Sequence, residues 1–339
     1  MTMTDTPPPT TAGSRFKVIR ATTLSRVFGL VALLVIIALV TVPKWADVST
    51  VRKLVQLFVL LAVAQMWNLL AGFAGLASVG QQAFIGLGAY GMVILVNNQH
   101  YSLYWSILFS GVLAALVSIP MGLVAFRLRG SYFAIGTWVL AEVARLVMKN
   151  SKSVGGGSGS SLKVSGYKAA TRAQSIYWIA LVIGIGAIVL AYALLRSRLG
   201  LQLQAIRDNE SGARGLGANV YRTRFLLWVV VAFWTALAGA AYYTQNLRVQ
   251  PNESFSVANW TAPIIFMVVI GGIGSIEGPI IGAIAYWAFH EWFGNSPFYL
   301  IAVGVLAILV SLFVRRGLWG LIRKRFDVQL FPVRRRLES

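Results

Sequence analysis

Between Leu54 and Phe126 the chain runs for 73 residues without an Asp, Glu, Lys or Arg. Average soluble composition would place about 18 charges in such a stretch. The run belongs to a longer pattern of apolar blocks separated by short polar or basic connections. Ten apolar segments are predicted, at 27–42, 54–71, 80–96, 103–126, 131–148, 176–195, 225–244, 260–271, 278–293 and 298–314. None alternates with a period of two, which excludes an outer-membrane barrel. The expected fold class is all-α, a polytopic transmembrane helical bundle of about ten segments.

Two segments, 260–271 and 278–293, are short for a full crossing and flank Gly271-Gly272-Ile273-Gly274-Ser275. The turn from Gly72 to Gly80 lies similarly between the second and third segments. Irregular backbone at membrane depth survives only inside protein or beside a water-filled cavity, so both turns are candidate broken or re-entrant elements of a pathway. Close helix packing through small residues is the other reading of the same glycines.

Apolar residues make up 57% of the chain and charged residues 12%, with 30 Lys and Arg against 10 Asp and Glu. In a soluble chain a net charge of +20 would suggest nucleic acid. Here the basic residues fall between apolar runs, so they report orientation and contact with membrane lipid, and no nucleic-acid partner is expected. Counted by side, twenty Lys and Arg accompany the termini and nine lie opposite, while Arg145 sits inside a span. Both termini are therefore expected in the cytoplasm of a multi-pass inner-membrane protein. The expected organisation is a disordered tail over 1–26, a transmembrane domain over 27–314 with a cytoplasmic loop at 196–224, and a basic cytoplasmic tail over 315–339. The apolar run from Val27 to Val42 ends at Pro43-Lys44 without an A-x-A site, so it reads as a retained span rather than a cleaved signal.

Catalytic constellations are scarce. The two histidines are His100 and His290, and His290-Glu291 lacks the second histidine of a zinc-protease helix. There is no G-x-S-x-G elbow and no paired carboxylate motif. With no cysteine, thiolate metal sites, disulfides and Cys nucleophiles are excluded. The run Gly155 to Lys163 lacks the Gly-Lys-Ser/Thr end of a phosphate loop and reads as a flexible external loop. The chain is expected to be no enzyme and to hold no metal or cofactor; any ATP must be bound by a partner. Glu142 and Arg145 share one helix face and are expected to pair. Glu277 and Glu291 are expected to meet water. Few intramembrane acids remain for a proton relay, which counts against an ion-coupled carrier.

The inner connection Arg196–Arg224 is long where the other inner connections are short. Leu199, Leu203, Ile206 and Leu216, with glycines at 212, 215 and 217, predict short amphipathic helices joined by a tight turn. A basic loop resting on anionic headgroups is the alternative.

From about residue 50 to 320 the chain resembles the LivM-type permeases of branched-chain amino acid ABC importers. Five collinear stretches carry the likeness: Gly72–Tyr90, Arg127–Ile135, Arg196–Arg224, Gly271–Pro279 with Gly282, and Arg316–Gly320. The resemblance implies a permease whose inner loop docks on a cytoplasmic ATPase through Arg207, Glu210, Gly212, Ala213 and Gly217. The family pattern there is E-x-A-A-x-x-x-G, so Gly212 replaces an alanine and Arg214 stands where an acid is common. Since Gly costs about 1 kcal/mol against Ala in a helix, the helicity of this stretch is open at this point. The resemblance also implies a second, LivH-like permease, two ATPase subunits and a periplasmic amino-acid-binding protein. Ser78, Gln81 and Gln82, with Gly271, Gly272 and Gly274, become candidate pathway residues, and interhelical hydrogen bonding is the other reading of the three polar ones. Branched-chain or related amino acids are the expected cargo, with urea or short amides as alternatives in the same family. An ATP-independent carrier or channel and a membrane-bound enzyme are the readings from other classes.

Overall fold

The computed structural model describes residues 17–19, 23–164, 166–294, 301, 304–305, 308, 317–326, 330–331 and 336–338. Helix α1 (Thr23–Thr41) ends in a 3-10 turn at Val42–Lys44, where Pro43 stops it. Asp47 then caps α2 (Val48–Asn68), accepting from the Ser49 and Thr50 amides at 2.9 and 3.2 Å. A π-helical turn, Leu69–Phe73, continues α2, and α3 (Gln81–Val93) continues likewise into Ile94–Asn98. Next come α4 (Leu103–Ala125), α5 (Ser131–Asn150) and α6 (Ala169–Arg196). The inner connection forms α7 (Arg198–Asp208) and α8 (Glu210–Gly215), and α9 (Val220–Asn246) crosses back. A short α10 (Pro251–Ser254) precedes the π turn Val257–Thr261, α11 (Ala262–Gly271), α12 (Glu277–Phe293) and α13 (Gly317–Phe326).

Among the described residues six helices are long and apolar enough to cross a membrane, while Val257–Gly271 and α12 are shorter, as their sequence lengths predict. The segment predicted at 298–314 lies almost wholly outside the described residues. Protein buries 72% of the best apolar window of Val48–Phe73 but 11% of that of Val27–Lys44. Every residue of α3 is buried, and α9 covers it through glycine contacts. A Cβ at Gly88 would lie 2.1 Å from the Ala236 carbonyl oxygen, so these two backbones touch. The outward faces of α1, α4 and α5 carry Leu, Ile, Val and Trp, the surface that lipid or another apolar partner accepts.

The connections gather at two ends. At one, Asn97 Nδ2 donates to the Ser161 carbonyl (2.9 Å), Gln245 Nε2 to Arg52 (3.2 Å) and Trp287 Nε1 to Lys53 (3.0 Å). Strand β2 (Ser160–Ser161) pairs there with β3 (Arg248–Val249). The glycine run expected as a flexible loop is instead built. It forms 3-10 turns at Lys152–Val154 and Gly156–Ser158, and Val154 and Leu162 plug into the core. The opposite end holds α7, α8 and both glycine turns, and a ribbon of Lys17–Ile19 with Arg336–Glu338 brings the terminal segments together.

Two expectations about charges meet different outcomes. Arg145 holds the Glu142 carboxylate and also donates to Asn252 Oδ1 at 2.6 Å, so the α5 pair forms. Glu277, expected to meet water, is 8% exposed and accepts from the Phe331 amide at 3.1 Å. A C-terminal residue covers it, a contact that local sequence does not encode. Glu291 bridges to Lys53.

Candidate functional site

The two glycine turns, some 200 residues apart in sequence, are built against each other by side chains of α2. Asn68 Oδ1 accepts from the Gly274 amide (2.9 Å) while its Nδ2 donates to the Ser275 carbonyl (2.8 Å). One turn earlier, Gln65 Nε2 donates to the Ile276 carbonyl at 2.8 Å. Both amides are fully buried and share one face of α2 by their i, i+3 spacing. A Cβ at Gly72 would sit 2.6 Å from the Gly274 nitrogen, so only glycine lets the turns meet. Gly274 (φ +77°) and Gly272 (φ +126°) adopt backbone that L side chains rarely reach. Gly271 packs on the Gly278 carbonyl and Gly317 on Gly272, so α13 closes over the second turn.

The hairpin α7–α8 hangs beneath these turns. Asn209 caps α8 by accepting from the Gly212 amide at 2.9 Å, which keeps the stretch helical despite Gly212. Ala213 is buried with Ile206 and Val220 in a small separate cluster that joins the hairpin to the foot of α9. Leu203 also faces inward, but Leu216, expected on the apolar face, is 90% exposed. Gly217 has φ +86° with open space around it, which makes the turn into α9.

Glu210 is engaged within the chain: Arg214 Nη2 donates to Oε1 (2.7 Å) and Arg224 Nη1 to Oε2 (2.8 Å). Burial opposes its ionisation, but the Arg224 hydrogen bond and the charges of Arg224, Arg214 and Arg129 outweigh that and hold its carboxyl below the usual range. A lowered folded pKa contributes stability that is complete above the unfolded value and lost as pH falls through the folded one. Limited proteolysis of the 196–224 segment is therefore expected to be unchanged from neutral pH down to about pH 5, and to accelerate only below the ordinary carboxylate range. Acceleration already above that range would contradict the pairing.

Arg207 connects hairpin to turns. Its Nη1 donates to the Gly72 carbonyl at 2.8 Å, and its stem lies against Gly75. Asp208 pairs with Nε and Nη2 of the same guanidinium, each at 2.9 Å. Of the residues expected in the coupling loop, Arg207 thus points into the bundle, Glu210 and Ala213 hold the hairpin together, and Gly212 and Gly217 shape its turns.

The polar pathway candidates lie at the start of α3, fully buried. Ser78 Oγ accepts from the Gly80 amide (3.2 Å), and its carbonyl accepts from Trp67 Nε1 (2.8 Å). Gln82 exchanges bonds with Thr261: the Gln82 amide donates to Thr261 Oγ1 at 3.2 Å, and that hydroxyl donates to Gln82 Oε1. The Gln81 side-chain amide has no partner among the described residues. Ser78 and Gln82 thus have hydrogen-bond partners inside the bundle, which the Gln81 side chain lacks among the described residues. Sequence reasoning missed Gln65, Asn68, Thr261 and Thr137, whose Oγ1 accepts from the Val79 amide at 3.1 Å; for the two amides the signal was their i, i+3 spacing in the charge-free run that begins at Leu54. Beside the hairpin, a cavity of about 850 Å3 opens between Ala77, Phe133, Arg129 and Arg224.

The family model for the branched-chain amino acid transport system permease component matches residues 49–315. The chain is 25% identical to the high-affinity branched-chain amino acid transport system permease protein LivM of Escherichia coli K12, covering 84% of this chain and 72% of that protein. It is 24% identical to the ribose import permease protein RbsC of the same strain, over 84% and 92% of the two chains. The autoinducer 2 import system permease protein LsrC of Enterobacter sp. 638 is 27% identical over 66% of this chain and 68% of its own. The chain therefore belongs to the family of branched-chain amino acid transport system permease components: it is a membrane-spanning subunit of an ATP-binding-cassette importer, not an enzyme, and acts with ATPase and binding-protein partners.

Proposed function

We propose that this permease moves branched-chain or related amino acids inward, with α7–α8 as the contact for a cytoplasmic ATPase. The observation that carries the reading is the Arg207–Gly72 hydrogen bond, which ties the hairpin to the first glycine turn, itself packed against the second. A push on the hairpin reaches the two irregular elements of the membrane domain without passing through a flexible loop. The excess of basic residues at the hairpin end and the joined terminal segments support a cytoplasmic location for both termini. A second, LivH-like permease, two ATPase subunits and a periplasmic amino-acid-binding protein complete the importer, and all ATP is held by the ATPases. Ser78, Gln81 and Gln82, together with Gly271, Gly272 and Gly274, line or brace the passage in this reading.

Leu216 is the anchor the geometry offers to the ATPase, a large apolar side chain presented to solvent at the tip of the hairpin. Leu216→Asp should leave thermal unfolding unchanged, because the side chain packs on little of its own chain. Co-purification of the ATPase subunits should fall about ten-fold or more, the loss typical of an interface anchor. Undiminished co-purification would remove the hairpin tip from the contact. Proteoliposomes holding the complete importer and its binding protein test the cargo. Leucine uptake is expected, and uptake of urea or ribose in its place would overturn the amino-acid reading.

A further inference from the structure

The end of the bundle opposite the hairpin holds a second site. Helix α9 runs 27 residues from the hairpin, about 40 Å of rise, and delivers Tyr242 and Tyr243 to a cavity of about 420 Å3. That volume lies within the usual range for small-ligand pockets. Trp260 stands edge-on to Tyr242, with ring centroids 4.8 Å apart at 86°, and its Nε1 donates to the Tyr243 hydroxyl at 3.4 Å. Tyr286 of α12 adds a further buried aromatic wall. The rim carries two opposite charges, Arg248 on β3 and Glu253 on α10, and neither joins an ion pair among the described residues.

The backbone is arranged to hold Arg248 there. Leu247 ends α9 at φ +62°, a conformation uncommon for a residue with a side chain, and is fixed by its amide donating to the Tyr243 carbonyl at 2.8 Å. Its own carbonyl accepts from the Leu162 amide at 2.8 Å. The Gln250 amide oxygen, in the orientation that satisfies both ends of that amide, accepts from Arg248 Nε and Nη2 at 2.7 and 2.9 Å. That bond orients the guanidinium without neutralising it and leaves Nη1 for a ligand. An aromatic wall attracts an ammonium group, a guanidinium binds a carboxylate, and a carboxylate binds an ammonium.

We infer that this cavity is a binding site for a zwitterionic amino acid, its carboxylate on Arg248, its ammonium on Glu253 and the aromatic wall, and its side chain against Val59 and Leu60. The site would receive cargo on the face where a binding protein releases it, and it rests on the proposed amino-acid import for that role. Val59 and Leu60 of α2 are buried apolar residues lining the same cavity, which suits a hydrophobic side chain.

The test is ligand-observed NMR on the assembled permease–ATPase complex in nanodiscs, without binding protein. The probes are L-leucine, isocaproate (no ammonium), isoamylamine (no carboxylate) and D-ribose. Leucine should bind about ten-fold more tightly than either truncated probe, because each lacks one charge-assisted contact. Arg248→Gln should weaken leucine about ten-fold and leave isoamylamine unchanged, and Glu253→Gln should weaken leucine while leaving isocaproate unchanged. Both side chains are exposed, and the comparison of probes on the unaltered protein needs no variant at all. Equal binding of the three probes, or leucine binding indifferent to both substitutions, overturns the inference. Leucine imported by the complete system with no leucine signal here would sink this site alone. A ribose signal without a leucine signal, together with ribose uptake, would sink the amino-acid cargo as well.

Discussion

Arg207→Ala should leave the importer assembled and hydrolysing ATP while leucine uptake falls about ten- to a hundred-fold. The guanidinium is the polar link from hairpin to glycine turn among the described residues, through Nη1 on the Gly72 carbonyl at 2.8 Å. A hydrogen bond to a charged donor contributes about 1.5–3 kcal/mol, and removing it leaves a part-buried carbonyl at a π-helical turn. Spread over a coupled conformational step, that range corresponds to the ten- to hundred-fold expected. The hairpin keeps its own supports, because Ala213, Ile206 and Val220 remain packed and Glu210 keeps both arginines. The ATPase contact should therefore persist. Arg207→Lys separates charge from geometry, since an ammonium cannot serve Gly72 and Asp208 together in a planar fork. Its uptake should fall between that of the parent and that of Arg207→Ala. Uptake and ATP hydrolysis measured in parallel check the claim, and normal uptake by Arg207→Ala would remove Arg207 from the transmission path.

The long spans were legible because one chemical demand, apolar length, is written locally. The block expected at 103–126 is α4 at Leu103–Ala125, and the one at 131–148 is α5 at Ser131–Asn150. Helices α7 and α8 were legible for the same reason, from the spacing of Leu203 and Ile206 and the glycines that follow. Contacts across the chain were not. Gln65 and Asn68 read as two neutral residues in an apolar run, and their partners, Ile276, Gly274 and Ser275, lie more than 200 residues away. Leu216 belongs to an apolar pattern by sequence, yet the turn at Gly217 swings it outward. Glu277 looked solvated because nothing near it in sequence shows that Phe331 returns to cover it. The pattern of apolar positions says which face is buried against something, and only the packing says against what.

Gly271→Val should abolish accumulation of folded protein, the larger of the two effects. The second glycine turn carries two physical readings, a wall of the passage or a close helix contact, and they predict different failures. A Cβ at Gly271 would lie 1.8 Å from the Gly278 carbonyl oxygen and 3.0 Å from the Gly282 nitrogen. The contact is reciprocal, since a Cβ at Gly282 would lie 1.8 Å from the Met267 carbonyl oxygen and one at Gly278 2.1 Å from that of Gly272. These obstacles are backbone, which cannot rotate aside as a side chain can. Helices α11 and α12 would have to separate, and the turn between them would lose the Asn68 and Gln65 bonds that hold it to α2. Overpacking typically costs about 1–3 kcal/mol where side chains can adjust, and backbone against backbone should exceed that. Gly271→Ala adds the same Cβ and should fail nearly as badly. Gly215→Ala is the control: it lies in α8 with nothing within 4 Å of its added Cβ, so thermal unfolding should not fall. Membrane yield and unfolding temperature decide between the readings. A Gly271→Val change that only narrowed a passage would leave yield and unfolding intact and block uptake alone, and that outcome would return Gly271 from the packing of α11 on α12 to the passage wall.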